Sequence, residues 1–198
     1  MRAKAPEPLD DVERLLSAIG PGPSARARPA LVLVSGLPGT GKSRLCRELK
    51  ARTGAVVLES DAARKLLFPE PDHSFSESRR LFRAVHAAIE RVLAAGLPTI
   101  LDATNLTEWQ REPLYAIAVR QGARVIIVKV EAPPPLVHRR LARRAHRTDA
   151  AGSSDADVGV YERMRGQEEK IRRPHFVVDT SQDTASALKA IAKEMESP

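Results

Sequence analysis

Apolar runs and amphipathic stretches alternate along the chain from residue 30 onward. Five short runs are rich in Val, Ile and Leu, which is typical of strands buried on both faces, and the stretches between them have helical periodicity. The predicted strands are ALVLVS at 30–35, AVVLES at 55–60, LPTILD at 97–102, RVIIVKV at 124–130 and HFVVDT at 175–180. Helices are predicted at 40–52, 61–68, 75–95, 108–121, 136–147, from after residue 155 to about 172, and at 183–195. This alternation predicts an α/β fold with a five-stranded parallel sheet and helices on both faces.

The first 29 residues lie outside this alternation. Residues 10–19 (DDVERLLSAI) have the pattern of a short amphipathic helix, with Asp10 or Asp11 as candidate N-cap and Gly20 as its end. A connector rich in proline and arginine, PGPSARARP, follows at 21–29. We therefore divide the chain into an N-terminal helix with its connector, 1–29, and an α/β domain, 30–198.

Composition limits the classes of protein that fit. A single cysteine excludes an intramolecular disulfide framework, and no apolar run approaches the roughly 20 residues that span a bilayer. Acidic residues interrupt the N-terminal stretch where a signal peptide needs an apolar core, so we expect a cytoplasmic location and no membrane partner. The 32 Lys and Arg exceed the 25 Asp and Glu, which gives a net charge of +7. This excess fits an anionic partner, or else a bias towards arginine with scattered solvated charges.

A complete phosphate-binding motif follows the first predicted strand. It matches GxxxxGK[ST] and precedes a predicted helix, the context that this motif requires. Its residues are Gly36, Leu37, Pro38, Gly39, Thr40, Gly41, Lys42 and Ser43. Glycines let backbone amides surround an anion at a helix N-terminus, where the helix dipole favours negative charge. Lys42 is suited to the β- and γ-phosphates and the Ser43 hydroxyl to Mg²⁺, so ATP and Mg²⁺ are the expected ligands.

Carboxylates end the second and third strands. Asp61 and Arg64 lie three residues apart on one helix face, which suits a general base and a cation beside the acceptor. The alternative is an N-cap aspartate with a solvated arginine. Asp102 ends the third strand as a candidate Mg²⁺ ligand, and the candidate acceptor contacts after it are Thr104, Asn105 and Arg111. Thr107 caps the next helix in this interpretation, while Asn105 serves either a turn or the acceptor.

An arginine-rich segment at about 136–155 has the features of a lid. The predicted helix LVHRRLARRAHR places Arg140 and Arg144 four residues apart, with Arg147 three further on, and a small polar loop follows. Arginines of a lid stabilise the charge on a transferring phosphoryl group. The doubled arginines leave a shift to Arg139 and Arg143 open, and an ordinary solvated basic helix remains the alternative.

Together these motifs are recognisable. GLPGTGKS, then DxxR, then DATN, then an arginine-rich lid before SSDAD, resembles the P-loop kinases of the polynucleotide 5′-kinase and zeta-toxin-like group, over roughly residues 30–180. The resemblance implies a three-layer P-loop NTPase fold of the kinase type, an AAA-type ATP-binding kinase domain. It also implies that Lys42 and Ser43 hold phosphate and Mg²⁺, that Asp61 is the general base and that Arg64 contacts the acceptor. Arg140 and Arg144 would be the lid arginines, with Arg147 near the nucleotide.

The expected activity is ATP-dependent transfer of the γ-phosphoryl group to a hydroxyl, with a polynucleotide 5′-OH as the leading acceptor. A small-molecule phosphotransferase acting on a sugar, nucleotide sugar or antibiotic is the alternative within the same fold. An ATPase switch without an acceptor is the alternative from another class. Basic and aromatic residues that fit an acceptor path are Arg79, Arg80, Arg83, Arg111, Phe75, Phe82 and Trp109.

Overall fold

The computed structural model describes residues 8–19, 22, 24–145 and 157–197. It contains five strands, β1 Ala30–Ser35, β2 Val56–Glu59, β3 Thr99–Asp102, β4 Arg124–Glu131 and β5 Phe176–Asp179. The helices of these residues are α1 Pro8–Ser17, α2 Lys42–Thr53, α3 Ser60–Leu67, α4 Phe75–Ala94, α5 Glu108–Arg120, α6 Pro134–Ala145, α7 Val158–Arg165 and α8 Ala185–Glu196.

All five strands form one parallel sheet in the order β2-β3-β1-β4-β5. The fold class expected from the sequence is confirmed. β1 lies at the centre, and alternate residues of it point to opposite faces, as the pleat of a strand requires. Leu31 and Leu33 join the core beneath α1, α3, α4 and α5, whereas Val32 and Val34 join the core beneath α2 and α8. This topology brings the carboxyl ends of β1, β2 and β3 together, and ligands bind at such edges.

The N-terminal helix is an integral part of the α/β unit. Val12 and Leu15 of α1 are buried against α3 and α4. Arg80 of α4 donates from Nε and one Nη to the two carboxylate oxygens of buried Asp11, at 2.7 and 2.8 Å. The helix begins at Pro8, so the expectation of Asp10 or Asp11 as N-cap is wrong. Asp11 instead lies within the helix, where its carboxylate fastens α1 to α4.

Most of the other boundaries differ from the sequence prediction by one or two residues, and two of the differences have a clear cause. The helix expected to continue to about residue 172 ends at Arg165, because Gly166 follows and the chain then runs without regular structure to β5. Strand β3 begins at Thr99, since Pro98 has no amide hydrogen to contribute to a ladder. Within the expected lid, α6 covers Pro134–Ala145, and residues 146–156 lie outside the described residues. None of the described helices combines the length and apolarity needed to cross a membrane.

Candidate active site

The phosphate loop, residues 36–43, connects β1 to α2 and has the backbone shape that its glycines permit. Gly36 and Gly41 have φ values of 152° and 104°, a region that other residues rarely adopt. A Cβ on Gly36 would lie 2.3 Å from the carbonyl oxygen of Val130, so β4 leaves no room for a side chain there. The Gly36 amide donates to the Thr104 carbonyl, which ties the start of the loop to the end of β3.

The N-terminus of α2 has no cap from a side chain, since Gly41 occupies the N-cap position. Within the loop, the Thr40 hydroxyl and the Lys42 ammonium both donate to the Leu37 carbonyl, at 2.8 and 2.9 Å. Free helix amides and a positive dipole end attract anions. The loop therefore offers an ATP phosphate chain a glycine-lined approach, helix amides and one lysine, and these residues fit the nucleotide.

The Lys42 side chain is partly exposed, and desolvation by the surrounding protein lowers the pKa of its ammonium. The charges of Asp102 and Asp61 act in the opposite direction, and that of Asp102 is the stronger. The charge of Arg144 on α6 adds a further, smaller lowering of the Lys42 pKa, so the two groups are within range of an electrostatic interaction. The fold thus brings three of the predicted catalytic or metal-binding side chains to Lys42: Asp61, Asp102 and Arg144.

Asp102 ends β3 with only 4% of its surface exposed, and its Oδ2 has no hydrogen-bond partner among the described residues. Burial raises the pKa of Asp102, whereas the charge of Lys42 and a hydrogen bond from Ser43 lower it. A buried carboxylate oxygen with no partner needs a proton, a water or a cation. Mg²⁺ prefers such oxygen ligands together with nucleotide phosphates and several waters, so Ser43 and Asp102 fit this metal.

The carboxylates of the described residues do not form a metal site by themselves. No group of three Asp, Glu, His or Cys side chains within the described ranges is close enough to hold an ion. This fits a cation that arrives with a nucleotide, because Mg²⁺ in such sites is held by one or two carboxylates plus substrate phosphates.

Glu59 is a further acidic group that sequence reasoning passed over. It ends β2 and pairs in register with Asp102 on β3. Burial raises the pKa of Glu59, and the charges of Asp102 and Asp61 raise it further. The signal for it was available, because Glu59 ends a strand just before the predicted general base. Glu59, Asp61 and Asp102 together make this edge strongly acidic opposite Lys42.

Arg64 lies on the same helix as Asp61 but is engaged elsewhere. Its guanidinium donates to the buried Glu77 carboxylate and, at 3.2 Å, to the Ser78 hydroxyl, both on the first turn of α4. Only 11% of the Arg64 side chain is exposed. In this structure Arg64 fastens α3 to α4, and its contact with an acceptor stays a prediction.

The residues after β3 are mostly used by the fold. The Asn105 amide donates to the Val34 carbonyl at 2.8 Å, and its backbone, at φ 44°, makes the turn towards α5. Arg111 has no exposed surface, and it donates to the Asn105 carbonyl at 2.6 Å and to Glu108. A direct contact of Arg111 with an acceptor is excluded by this burial, so that expectation is wrong. Thr107 caps α5 in a capping box, as the sequence predicts.

The two predicted lid arginines that lie within the described residues, Arg140 and Arg144, have different positions. Arg140 donates to the Thr40 carbonyl at 3.1 Å and to the Thr180 hydroxyl and carbonyl at 2.8 and 3.0 Å, so it fastens α6 to the phosphate loop and to the end of β5. Arg144 is the one whose charge acts on the pKa of Lys42. Arg139 and Arg143 are exposed. Arg147 lies outside the described residues.

Thr180 was missed by sequence reasoning. It follows β5, and its hydroxyl donates to the Thr40 carbonyl at 2.5 Å, while its methyl group lies against Gly41. A Cβ on Gly41 would approach Thr180 to 3.1 Å. The only indication of it in the sequence was its position directly after the last strand. In the structure, Thr180 packs against the phosphate loop at Thr40 and Gly41.

Comparisons with known proteins agree with this geometry. The chain is 30% identical to the mouse protein KTI12 homolog over 176 residues, 84% of this chain and 49% of that protein, so it spans about half the length of this relative. The solved structure of Chaetomium thermophilum Kti12 in complex with ADP-AlF3 has a TM-score of 0.69 at 20% identity, covering 83% of this chain and 96% of that one. A putative kinase from Chloroflexus aurantiacus has a TM-score of 0.66 at 21% identity, covering 83% and 97%.

These two structures share the P-loop kinase-like fold of this chain. A family model described as an AAA domain matches residues 31–171, which include all of the phosphate loop and nearly all of strands β1 to β4. The protein belongs to this AAA domain family (AAA_33).

Proposed function

We propose that the protein is an ATP-dependent kinase that transfers the γ-phosphoryl group of ATP to an acceptor hydroxyl, most favourably the 5′-OH of a polynucleotide. The observation that carries the proposal is the position of Asp61. Its carboxylate is near enough to Lys42 of the phosphate loop for their charges to interact. A phosphotransferase needs a carboxylate at this place to orient and deprotonate its acceptor.

The step assigns a role to each group around Lys42. Asp61 accepts the proton of the acceptor hydroxyl as the hydroxyl oxygen bonds to the γ-phosphorus. The bond from that phosphorus to the oxygen bridging it to the β-phosphate breaks, and ADP leaves with the electron pair. Lys42 binds the β- and γ-phosphates, and Arg144 stabilises the charge that spreads over the transferring oxygens. Ser43 and Asp102 would hold Mg²⁺, which supplies further neutralisation of phosphate charge when bound.

A polynucleotide acceptor is supported by the charge of the chain and by the resemblance of its motifs. The net charge of +7 is an excess that suits an anionic acceptor in addition to ATP. Of the basic residues that fit an acceptor path in the sequence, Arg80 and Arg111 are used by the fold, through Asp11 and through the turn before α5. Arg79 and Arg83 remain for this role.

The test is transfer of labelled phosphate from γ-labelled ATP to a panel of acceptors. The panel contains a single-stranded 5′-OH oligonucleotide, the same oligonucleotide with a 5′-phosphate, a hexose, a nucleotide sugar and an aminoglycoside. We expect label on the 5′-OH oligonucleotide alone and no label with Lys42→Ala. Label on a sugar or antibiotic, with none on the oligonucleotide, would replace this acceptor by the small-molecule alternative.

An ATPase switch is the second candidate, and the likeness to Kti12 proteins favours it. The chain is 30% identical to the mouse KTI12 homolog over 176 residues, and the Chaetomium Kti12 structure is a complex with the nucleotide ligand ADP-AlF3. A switch hydrolyses ATP with water, so its rate would not respond to any hydroxyl acceptor, and Asp61→Asn would leave the rate nearly unchanged. A kinase loses transfer with Asp61→Asn while it continues to bind ATP.

A further inference from the structure

A groove separate from the phosphate loop runs between α4 and α5. Its volume is about 680 Å³, a size that accommodates a nucleotide or a comparable ligand. One face of each helix lines it, with residues at helical spacing on both sides. The groove is lined by, among others, Phe75, Arg79 and Arg83 of α4, Trp109 and Arg120 of α5, and Asn105 before α5.

Two large aromatic side chains on this groove are exposed to solvent. Phe75 is 77% exposed and Trp109 is 73% exposed, and each lies in the first turn of its helix. Phe82 is half-buried further along α4. Exposed aromatic rings beside a concave surface mark binding sites, since they present flat apolar area without a packing role in the fold. These rings are therefore available to a ligand.

The charged residues of the groove are distributed unevenly along it. Arg79 and Arg83 are four apart on α4, both are exposed, and neither makes a hydrogen bond or ion pair with the described part of the chain. At the other end Arg120 donates to Glu90 at 2.9 Å, so its charge is compensated. Among the described residues of the groove, uncompensated positive charge is thus confined to the half that begins at Phe75.

That half of the groove lies towards the acidic edge of the sheet. α4 and α5 both begin there, at the N-caps Ser74 and Thr107, and helix N-termini add positive potential. Asn105 lines the groove, and its amide donates to the carbonyl of Val34 in β1, two residues before the phosphate loop. A strand lying in the groove would therefore have one end close to the phosphate loop. From Phe75 to Glu90 the groove follows α4 for about 22 Å.

We propose that the α4/α5 groove binds single-stranded nucleic acid, with Phe75 and Trp109 stacking on bases and Arg79 and Arg83 contacting backbone phosphates. Aromatic platforms interleaved with cations along a groove are the features that bind single strands without sequence preference. A peptide helix would bind through aliphatic side chains in an apolar groove. Binding of such a helix would not explain why two neighbouring arginines of the groove are uncompensated. The inference rests on the proposed function, because it supplies the path of the polynucleotide acceptor.

Binding can be measured without ATP and without any catalytic step. Trp109 is the single tryptophan of the chain, so its fluorescence reports on this groove alone. The probe is a 12-nucleotide single-stranded DNA of mixed sequence with a free 5′-OH, carrying a 3′-fluorescein for anisotropy and unlabelled for Trp109 quenching. We expect saturable quenching of Trp109 and binding that weakens as salt rises.

Three variants test the assignment of residues. Arg79→Glu/Arg83→Glu should weaken binding by about tenfold or more. It should also lower the slope of log K against log salt by about 1.4, because each lost phosphate contact on a single strand lowers that slope by about 0.7. Trp109→Ala should weaken binding by about tenfold, while Trp109→Phe retains most of it. The matched control Arg28→Glu/Lys189→Glu changes the same number of charges at exposed positions away from the groove and should change binding less than about twofold.

The outcomes separate this inference from the kinase proposal. No quenching of Trp109, or equal losses in the groove variant and the matched control, overturns the groove assignment whether or not label is transferred. Binding that depends on Arg79, Arg83 and Trp109 supports the groove even if no oligonucleotide is phosphorylated, and the kinase proposal then fails by itself. Equal affinity for a duplex of the same sequence would also contradict stacking in the groove, because paired bases cannot stack on side chains.

Discussion

Glu59 and Asp102 are register partners at the ends of adjacent parallel strands, so two carboxylates lie side by side at the edge of the sheet. Both have a raised pKa, for which burial is the largest cause, and the charge of Asp102 contributes to the shift at Glu59. Such an arrangement costs stability in the absence of a cation. It also prepares the edge for one, since a bound cation relieves the repulsion between the two carboxylates.

Glu59→Gln should stabilise the ligand-free protein near neutral pH, with a Tm increase of about 2 °C, a small effect because Glu59 is only half-buried. In the folded protein the pKa of Glu59 is raised above the ordinary value of 4.5. At a pH below that value, Glu59 is protonated in both the folded and the unfolded protein, so its charge does not affect the free energy of unfolding. As the pH rises the penalty develops, and it is complete above the raised folded-state pKa.

The measurement is Tm in EDTA at about pH 4 and about pH 7.5, compared between Glu59→Gln and wild type. Glu112→Gln, which removes the same charge at an exposed position of α5, is the control. A stabilisation that is equal at both pH values, or that is shared by the control, would show that Glu59 is not strained by its acidic neighbours.

Asp102→Asn should remove most of the effect of Mg²⁺ on nucleotide binding. The neutral amide of this variant cannot compensate the cation charge, whereas the glycine-lined loop and Lys42 still bind phosphates. We expect the affinity for ADP in EDTA to stay within about twofold of wild type, and the gain on adding Mg²⁺ to fall by about 10- to 100-fold. Calorimetric titration with and without Mg²⁺ measures both, and an unchanged gain would mean that Asp102 does not serve the metal.

Replacing Arg80 should lower the free energy of unfolding more than replacing Asp11, although the two side chains form one contact between α1 and α4. Arg80→Met leaves the buried Asp11 carboxylate without its bidentate partner, which costs about 3 kcal/mol of unfolding free energy. Asp11→Asn leaves Arg80, which is 25% exposed and can be hydrated, so the loss is about 1–2 kcal/mol. Urea unfolding at neutral pH compares the two variants, and a larger loss for Asp11→Asn would contradict this assignment of the buried charge.

The sequence predicts the fold well because each strand is short, apolar and followed by a helix of clear periodicity. It also places Lys42, Asp61 and Asp102 around one edge, since parallel strands end together. It fails for side chains whose role depends on long-range packing. Nothing near Arg111 in the sequence indicates that its guanidinium is enclosed by the turn before α5, and Arg64 pairs with a glutamate 13 residues away on another helix.

The same limit applies to the basic residues of α4. Arg79, Arg80 and Arg83 are equivalent in the sequence, and only the fold separates them. Arg80 faces α1 and binds Asp11, while Arg79 and Arg83 line the α4/α5 groove. Part of the positive charge of the chain is therefore used in ion pairs within the fold, as at Arg80. Arg79 and Arg83 on the groove are the residues that a second anion would contact.

The most direct test of a phosphotransferase that uses Asp61 as its base is the partition of the γ-phosphoryl group between acceptor and water. Wild type and Asp61→Asn are compared in one reaction with labelled ATP and a 5′-OH oligonucleotide, and nucleotide affinity is measured in parallel. We predict that Asp61→Asn lowers transfer to the oligonucleotide by about 10²- to 10⁴-fold with ATP affinity unchanged. The opposite result would be ATP hydrolysis by wild type at a rate that does not change when the oligonucleotide is added, with the same rate in Asp61→Asn. That result would contradict a kinase that uses Asp61 as its base.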